Sequence, residues 1–189
     1  TSYPVNRISQ RALPSEPLFT LTATNHGKGR VLFEWDPTAT FLASVGTSKV
    51  IHIFRKRTKK QDTAKDPCYT RCRQITPPGA GAITSLAWNH AGSILAIVQK
   101  SSSTLVMWEF HTWQSKITTT PFKKSFSGRE QLSFIKFSQE TDHLAIGTLR
   151  GGVYIYDCEA KTEKRISTSG RVVDGVWSRS KNRFAWVTE

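Results

Sequence analysis

Residues 83–108, ITSLAWNHAGSILAIVQKSSSTLVMW, hold one complete copy of the unit that determines the fold of this chain. The copy begins with an alternating apolar segment that ends at Trp88. A polar turn follows, and then a segment of small and aliphatic residues that contains the pair Leu95-Ala96. A third alternating segment ends at Trp108. Alternation with a period of two turns one face of a strand towards a core, so the copy predicts a meander of antiparallel strands.

The same unit recurs on both sides of this copy. The first strand recurs at 31–35, 132–137 and 172–177, and each time it ends in an aromatic residue. An apolar residue followed by alanine comes seven residues after each of these aromatic residues. The third strand recurs at 50–54 and 153–156, and its last aromatic residue falls 19 or 20 residues after the first one. The aromatic anchors of the copies are Trp35, Trp88, Trp108, Phe137, Tyr156 and Trp177.

The spacing of the copies indicates how they are arranged. The aromatic residues that end the first strands are separated by 53, 49 and 40 residues. With allowance for insertions in loops, these distances bracket the roughly 40 to 45 residues of a four-stranded β-propeller blade. Turn-forming residues stand where hairpins need them, at Asp36-Pro37, 89–92 and 150–152. The sequence therefore predicts an all-β fold of the propeller type.

Two of the copies resemble WD40 repeats. Trp108-Glu109 and Tyr156-Asp157 stand where that family has its Trp-Asp pair, at the end of the third strand. Trp35-Asp36 ends a first strand instead and is not that pair. No Gly-His dipeptide opens a copy, so the buried His–Asp hydrogen-bond network of regular WD40 blades is not assumed here. The resemblance implies a divergent WD40-type β-propeller that works as a non-catalytic protein-interaction scaffold.

Several short segments are similar to one group of proteins within this superfamily, the WD-repeat and helical-repeat subunits of intraflagellar transport complex A. The segments match the N-terminal propeller of those subunits and lie at 18–21, 49–54, 97–102, 131–134 and 144–151. This resemblance implies a subunit that acts in retrograde ciliary transport and in the delivery of ciliary membrane-protein cargo. It also implies a location in the cilium or flagellum and the cytoplasm, with other ciliary transport subunits as partners.

The repeats predict the domain organisation. We expect an N-terminal extension at 1–17 and the N-terminal part of a propeller at 18–189. Its blade cores are expected near 31–55, 83–110, 131–158 and 171–189. About three and a half blades are present by this count, so the remainder is expected beyond Glu189. The alternating segment 18–22 is predicted to supply the outer strand of the closing blade.

A basic insertion at 55–79 interrupts the rhythm of the repeats. Eight lysines or arginines and two aspartates lie between Arg55 and Arg73, so this segment carries +6 of the formal net charge of +13. The candidate partner-binding residues in it are Arg55, Lys56, Arg57, Lys59, Lys60, Arg71 and Arg73. A long basic loop is either a solvated connection or a binding site for an acidic protein surface, an acidic membrane or nucleic acid.

Nucleic acid is the weakest of these alternatives, because Tyr69 is the segment's only aromatic residue and single strands bind by stacking on aromatic rings. A nuclear or RNA-associated scaffold that uses the basic insertion remains the alternative function, with a nuclear location.

The sequence contains no pattern that predicts catalysis or cofactor binding. Cys68 and Cys72 lie four residues apart, with His52 or His90 as conceivable further ligands, but a structural zinc site needs four ligands and usually a second cysteine pair. None of the five histidines belongs to a triad or metal motif, and no glycine pattern would cradle a phosphate. We therefore expect no enzyme, no metal and no cofactor. Three cysteines are too few for a disulfide framework, and no apolar run reaches membrane-spanning length, so a soluble cytosolic or nuclear protein is expected.

Overall fold

The structure, a computed structural model, describes residues 21–57, 69–113, 116–126, 130–179 and 182–189. One helical turn, α1 (Ala23–His26), precedes the strands. The strands form three four-stranded sheets and one two-stranded sheet, each with the strand order of the chain. Every pairing within them is antiparallel. The predicted all-β meander is therefore confirmed. Among the described residues, no helix is long and apolar enough to cross a membrane.

The strand bounds follow the predicted repeat closely. The first sheet contains β1 (Leu32–Trp35), β2 (Phe41–Val45), β3 (Ile51–Lys56) and β4 (Tyr69–Ile75). The second contains β5 (Ile83–Trp88), β6 (Ile94–Gln99), β7 (Thr104–Trp113) and β8 (Lys116–Ser125). The third contains β9 (Leu132–Phe137), β10 (His143–Thr148), β11 (Gly152–Asp157) and β12 (Thr162–Ser167). The fourth contains β13 (Val172–Trp177) and β14 (Phe184–Thr188).

The seven-residue offset in the sequence is the register of a hairpin. In the second sheet Trp88 lies opposite Leu95 across the ladder. The same pairing joins Trp35 to Leu42 in the first sheet and Phe137 to Leu144 in the third. Because residues opposite each other on antiparallel strands sit about 5 Å apart, each pair fixes one anchor against the middle of its sheet.

The sheets pack face to face like blades. One apolar cluster fills the space between the first and second sheets, with Ile53, Leu95 and Trp108 among its members. Another fills the space between the second and third, with Met107 and Ile135. Every residue of β6 is buried, because the first and third sheets cover its two faces. The first strands of successive sheets contact each other, so the sheets are arranged around a common line.

The described sheets form an open arc. Phe33 of β1 is 58% exposed, and Val187 of β14 is 60% exposed, because no described sheet covers those two faces. This agrees with the predicted incomplete propeller. The strand predicted at 18–22 falls mostly outside the described residues. Leu21 packs against the small apolar cluster of Leu42, Phe54 and Tyr69, and the chain then enters α1.

The fourth strands of the sheets were not identified in the sequence. β4 lies inside the segment predicted as a basic insertion, so part of that segment belongs to the first sheet. Five of the seven residues of β4 and all six of β12 are exposed or only partly buried. A strand at the solvent edge of a sheet does not need an apolar side, so it loses the alternation by which the inner strands are recognised.

Candidate functional site

The aromatic anchors hold neighbouring sheets together through their indole groups. Trp88 Nε1 donates a hydrogen bond to the backbone oxygen of Glu34, at 3.2 Å, and Trp177 Nε1 donates to that of Lys136, at 2.8 Å. Each acceptor residue stands directly before the aromatic residue that ends the first strand of the preceding sheet. Phe137 is buried in the equivalent place but has no N–H to donate. The tryptophans therefore fix the spacing of the blades.

Trp35 occupies the same position in the first sheet but is left uncovered. Its side chain is 41% exposed, whereas Trp88 is 5% and Trp177 is 7% exposed. Its ring contacts Tyr69 edge-on, with the centroids 4.7 Å apart. The remaining anchors, Trp108 and Tyr156, are buried between sheets.

A cavity of about 560 Å³ lies where the first strands end. The four aromatic anchors of those strands line it together with Glu34 and Lys136. Desolvation raises the pKa of Glu34 above its ordinary value, and the positive charge of Lys136 opposes this shift. The cavity wall thus offers aromatic rings and one charge of each sign, which suits recognition of a polar segment. The residues lining it include no cysteine and no histidine, and its one serine, Ser138, has no neighbouring base there.

The structure brings together two separate parts of the predicted basic segment. Arg55, Lys56 and Arg57 lie at the end of β3, and Arg71 and Arg73 lie on β4, which pairs with β3. We call these five residues the basic edge. Lys59 and Lys60 lie outside the described residues.

Contacts at the basic edge hold its arginines in place. Arg71 lies opposite Phe54, and its Nη1 donates to Asn25 Oδ1 at 3.1 Å. The guanidinium of Arg55 lies over the ring of Phe41, 6.0 Å from its centroid. Neutral groups therefore hold both arginine side chains, and neither group cancels the positive charge.

The outer strands of the second and third sheets use their charges differently. Lys124 of β8 pairs with Glu163 of β12 at 2.8 Å and also lies over the rings of Phe126 and Tyr156. Arg165 of β12 pairs with Glu130 at 2.6 Å. These charges connect neighbouring segments of the arc rather than forming a surface of one sign.

A buried histidine pair, His26 and His52, was missed in the sequence because α1 brings one of them onto the first sheet. His26 Nδ1 lies 3.0 Å from the Thr22 carbonyl oxygen and must donate to it, so its Nε2 accepts from Ser44 Oγ at 2.8 Å. His52 Nε2 donates to the Asn25 carbonyl oxygen at 2.9 Å. The ring centroids are 4.9 Å apart. The buried His26 therefore bonds to the second strand of the first sheet. Its partner is Ser44, whereas regular WD40 blades have a His–Asp bond.

The stability of the first sheet should depend on pH through His52. Desolvation lowers the pKa of His52 below its ordinary value, and the charges of His26 and Arg71 lower it further, while the bond to Asn25 opposes them. The folded state therefore favours neutral His52, so stability is full above the unfolded pKa of about 6.5 and is lost as the pH falls towards the lower folded value. We expect Tm to fall more between pH 7.5 and 5.5 for the native chain than for His52→Gln. Equal slopes in thermal melts followed by circular dichroism would contradict this.

The turns between first and second strands connect neighbouring sheets by polar contacts. Asn89 Nδ2 donates to Asp142 Oδ1 at 2.8 Å, and His90 Nδ1 lies 3.1 Å from the same oxygen. In the next pair of sheets, Asn182 Nδ2 lies 3.0 Å from His143 Nδ1. His90, considered above as a metal ligand, is thus placed against a carboxylate of the neighbouring sheet.

The cysteines do not form a described metal site. Cys68 lies outside the described residues, and the Cys72 thiol donates to the Ile53 carbonyl oxygen at 3.3 Å. Burial raises the pKa of the Cys158 thiol to about 12. In the ranges that the structure covers, no three histidine, cysteine, aspartate or glutamate residues are grouped so that they could hold a metal ion.

Comparison with known proteins gives a consistent result. A family model described as the WDR19 first beta-propeller matches residues 31–189. The chain is 24% identical over 153 residues to WD repeat-containing protein 19 of Homo sapiens, which covers 78% of this chain and 10% of that protein. It is 24% identical over 146 residues to WD repeat-containing protein dyf-2 of Caenorhabditis elegans, covering 77% of this chain and 9% of that protein.

A solved structure was also matched. The crystal structure of the Myceliophteria thermophila Cps50 (Swd1) beta-propeller domain is 12% identical in sequence, with a TM-score of 0.48 over 72% of this chain and 39% of that one. The chain spans about a tenth of the length of the curated relatives it matches.

Proposed function

Because this chain belongs to the WDR19 first beta-propeller family, we propose that it is a non-catalytic scaffold within intraflagellar transport complex A. In this role it contributes to retrograde ciliary transport and to the delivery of ciliary membrane-protein cargo, in the cilium or flagellum and the cytoplasm. The family match over 31–189 carries the proposal. The resemblance of segments such as 49–54 and 144–151 to complex A subunits supports it.

The geometry suits a scaffold. Inter-sheet hydrogen bonds from Trp88 and Trp177, and the ion pair between Lys124 and Glu163, connect successive sheets of the arc. Rigid propellers present loops and strand edges to partners without paying ordering entropy at each contact. The partners proposed for these surfaces are other ciliary transport subunits.

Affinity purification tests this function. The full-length protein that contains this chain would be tagged in ciliated cells, and its partners would be identified by mass spectrometry. We expect recovery of WD-repeat and helical-repeat ciliary subunits, together with ciliary localisation of the tagged protein. A tagged propeller of unrelated function serves as the control. Recovery of ribosomal or spliceosomal proteins in place of ciliary subunits would contradict the proposal.

The charge of the basic segment favours a second candidate, a nuclear or RNA-associated scaffold. Nucleic-acid affinity falls steeply with salt, in proportion to the number of phosphates contacted. Titration of single-stranded RNA into the purified chain at low and physiological salt distinguishes the two functions. The ciliary proposal expects no binding at physiological salt.

A further inference from the structure

The segment that contains the basic edge carries more positive charge than its own acidic residues can neutralise. Eight basic residues and two acidic residues lie between Arg55 and Arg73, which leaves +6. If Asp62 and Asp66 each pair with one of the basic residues, six positive charges still remain. Such an excess of one sign attracts a partner of the opposite sign through a long-range field, and five of the eight basic residues lie on the basic edge.

The backbone of β4 offers a second kind of complementarity. β4 is the last strand of its sheet, and among the described residues only β3 pairs with it. One side of β4 therefore presents backbone N–H and C=O groups that alternate along the strand. Another polypeptide in extended form matches this alternation, whereas phosphates and lipid headgroups do not present donors and acceptors in the regular alternation of a strand.

The equivalent strand of the third sheet carries the opposite charge at one position. Phe54 and Tyr156 are the last aromatic residues of equivalent strands, and the residues opposite them are Arg71 and Glu163. Glu163 pairs with Lys124 of the second sheet at 2.8 Å. In the third sheet this position holds Glu163, which connects two sheets. In the first sheet it holds a cation, Arg71, on the outer edge.

We propose that an acidic polypeptide segment docks in extended form along the outer edge of β4. Its carboxylates bind Arg71, which lies opposite Phe54 at one face of the sheet, and Arg73, which lies opposite Ile53 at the other face. The proposal deepens the scaffold function and depends on it, but it does not depend on which complex the scaffold joins. A second copy of this chain does not fit, because its own basic edge would be repelled. Single-stranded nucleic acid is disfavoured because Tyr69, the aromatic residue of β4, is only 8% exposed.

A bulge limits how much of the contact is strand pairing. The register between β3 and β4 shifts between Ile53 and Phe54, so no residue of β3 lies directly opposite Cys72 in the ladder. A bulge bends its strand and interrupts the ladder, so a docked segment pairs over only a few residues on either side. Ion pairs therefore supply most of the affinity, and the affinity falls with salt.

Fluorescence anisotropy with the whole chain tests the proposal. The probe is a labelled peptide of repeated Glu-Glu-Thr-Thr, which puts carboxylates on both faces of an added strand and is long enough to span the seven residues of β4. We expect saturable binding that weakens with salt, and Arg71→Glu/Arg73→Glu should weaken it about tenfold or more. The matched control is Lys164→Glu, which makes the same kind of charge change opposite Ile155 as Arg73→Glu makes opposite Ile53. It should change the affinity by less than about twofold.

Three further measurements separate the alternatives. A peptide of repeated Gln-Gln-Thr-Thr should not bind, and equal binding would overturn the role of charge. The Glu-Thr peptide with alternate backbone nitrogens methylated should bind more weakly, and undiminished binding would overturn strand pairing. Single-stranded RNA or phosphatidylserine vesicles that bind more tightly than the peptide, with the same dependence on Arg71 and Arg73, would overturn the choice of partner.

Two safeguards keep the test decisive. If the double glutamate variant loses the circular dichroism spectrum of the native chain, Arg71→Gln/Arg73→Gln replaces it, with a smaller expected loss of affinity. Peptide binding without recovery of ciliary subunits would contradict the proposed complex alone. Recovery of those subunits without peptide binding would contradict the docking site alone.

Discussion

Replacing Trp88 by alanine is expected to lower the free energy of unfolding by about 3 to 5 kcal/mol, the usual range for truncation of a large buried aromatic side chain. The ring of Trp88 stacks on Phe41 of the neighbouring sheet and contacts Phe110, at centroid distances of 6.1 and 4.9 Å. Its Nε1 also donates to the Glu34 carbonyl oxygen. The substitution therefore opens a cavity between two sheets and removes a hydrogen bond that joins them. Urea denaturation followed by circular dichroism measures the loss.

Two further variants separate packing from hydrogen bonding. Trp88→Phe keeps most of the apolar contact but removes the donor to Glu34, so it should cost about 1 to 2 kcal/mol. Trp35→Ala removes the same side chain from the equivalent position of the uncovered first sheet and should cost about 1 kcal/mol, mainly from its contact with Tyr69. Equal losses for Trp35→Ala and Trp88→Ala would show that burial between sheets is not the source of the effect.

Replacing Gly46 by alanine is expected to lower the free energy of unfolding by about 3 kcal/mol, through steric overlap. A Cβ at position 46 would overlap the backbone oxygen of His26 and would lie 2.7 Å from the His26 Cβ. Backbone cannot move aside as a flexible side chain can. The residues of α1 would have to leave the sheet, and the bonds from His26 to Ser44 and from His52 to Asn25 would break.

A neighbouring substitution serves as the control for Gly46. Thr47→Ala removes the hydroxyl that donates to His26 and Lys28 carbonyl oxygens, each at 3.3 Å, without adding an atom. It should cost less than about 1 kcal/mol, as expected for long hydrogen bonds that are partly or fully exposed. A similar loss in both variants would mean that hydrogen bonding in this turn, and not the approach of α1, determines the stability.

Position 46 also shows how one repeat position is used in different ways. Gly46 stands four residues after Leu42, the apolar residue of the first apolar-alanine pair. The same position holds Gln99 in the second sheet and Thr148 in the third. Gln99 Nε2 donates to Gly81 O at 3.2 Å, and Thr148 Oγ1 donates to Glu130 Oε2 at 2.6 Å. Each of these bonds holds the segment that precedes the first strand of its own sheet. In the first sheet glycine lets the backbone of α1 take that place.

The inner three strands of each blade were predictable from the sequence, because their information is local. Alternation fixes the buried face of a strand, and turn residues together with the seven-residue offset fix pairs such as Trp88 with Leu95. The outer strands were not predictable in this way. β4 and β12 are solvated, and their stability comes from pairing with β3 and β11 rather than from an apolar pattern of their own.

The sequence predicted which residues the candidate sites contain, but not how those residues are arranged in space. The charge of the segment from Arg55 to Arg73 is plain in the sequence, but the alignment of Arg71 and Arg73 along an edge depends on β4 pairing with β3. The bond from His26 to Ser44 spans 18 residues, and the bond from Trp88 to Glu34 spans 54. The sequence by itself determined the repeat, the blade register and the sign of the charge, since these follow from spacing of a few residues. The tertiary structure alone decided which anchors are covered and which cations share an edge, because contacts between sheets depend on packing that no local pattern records.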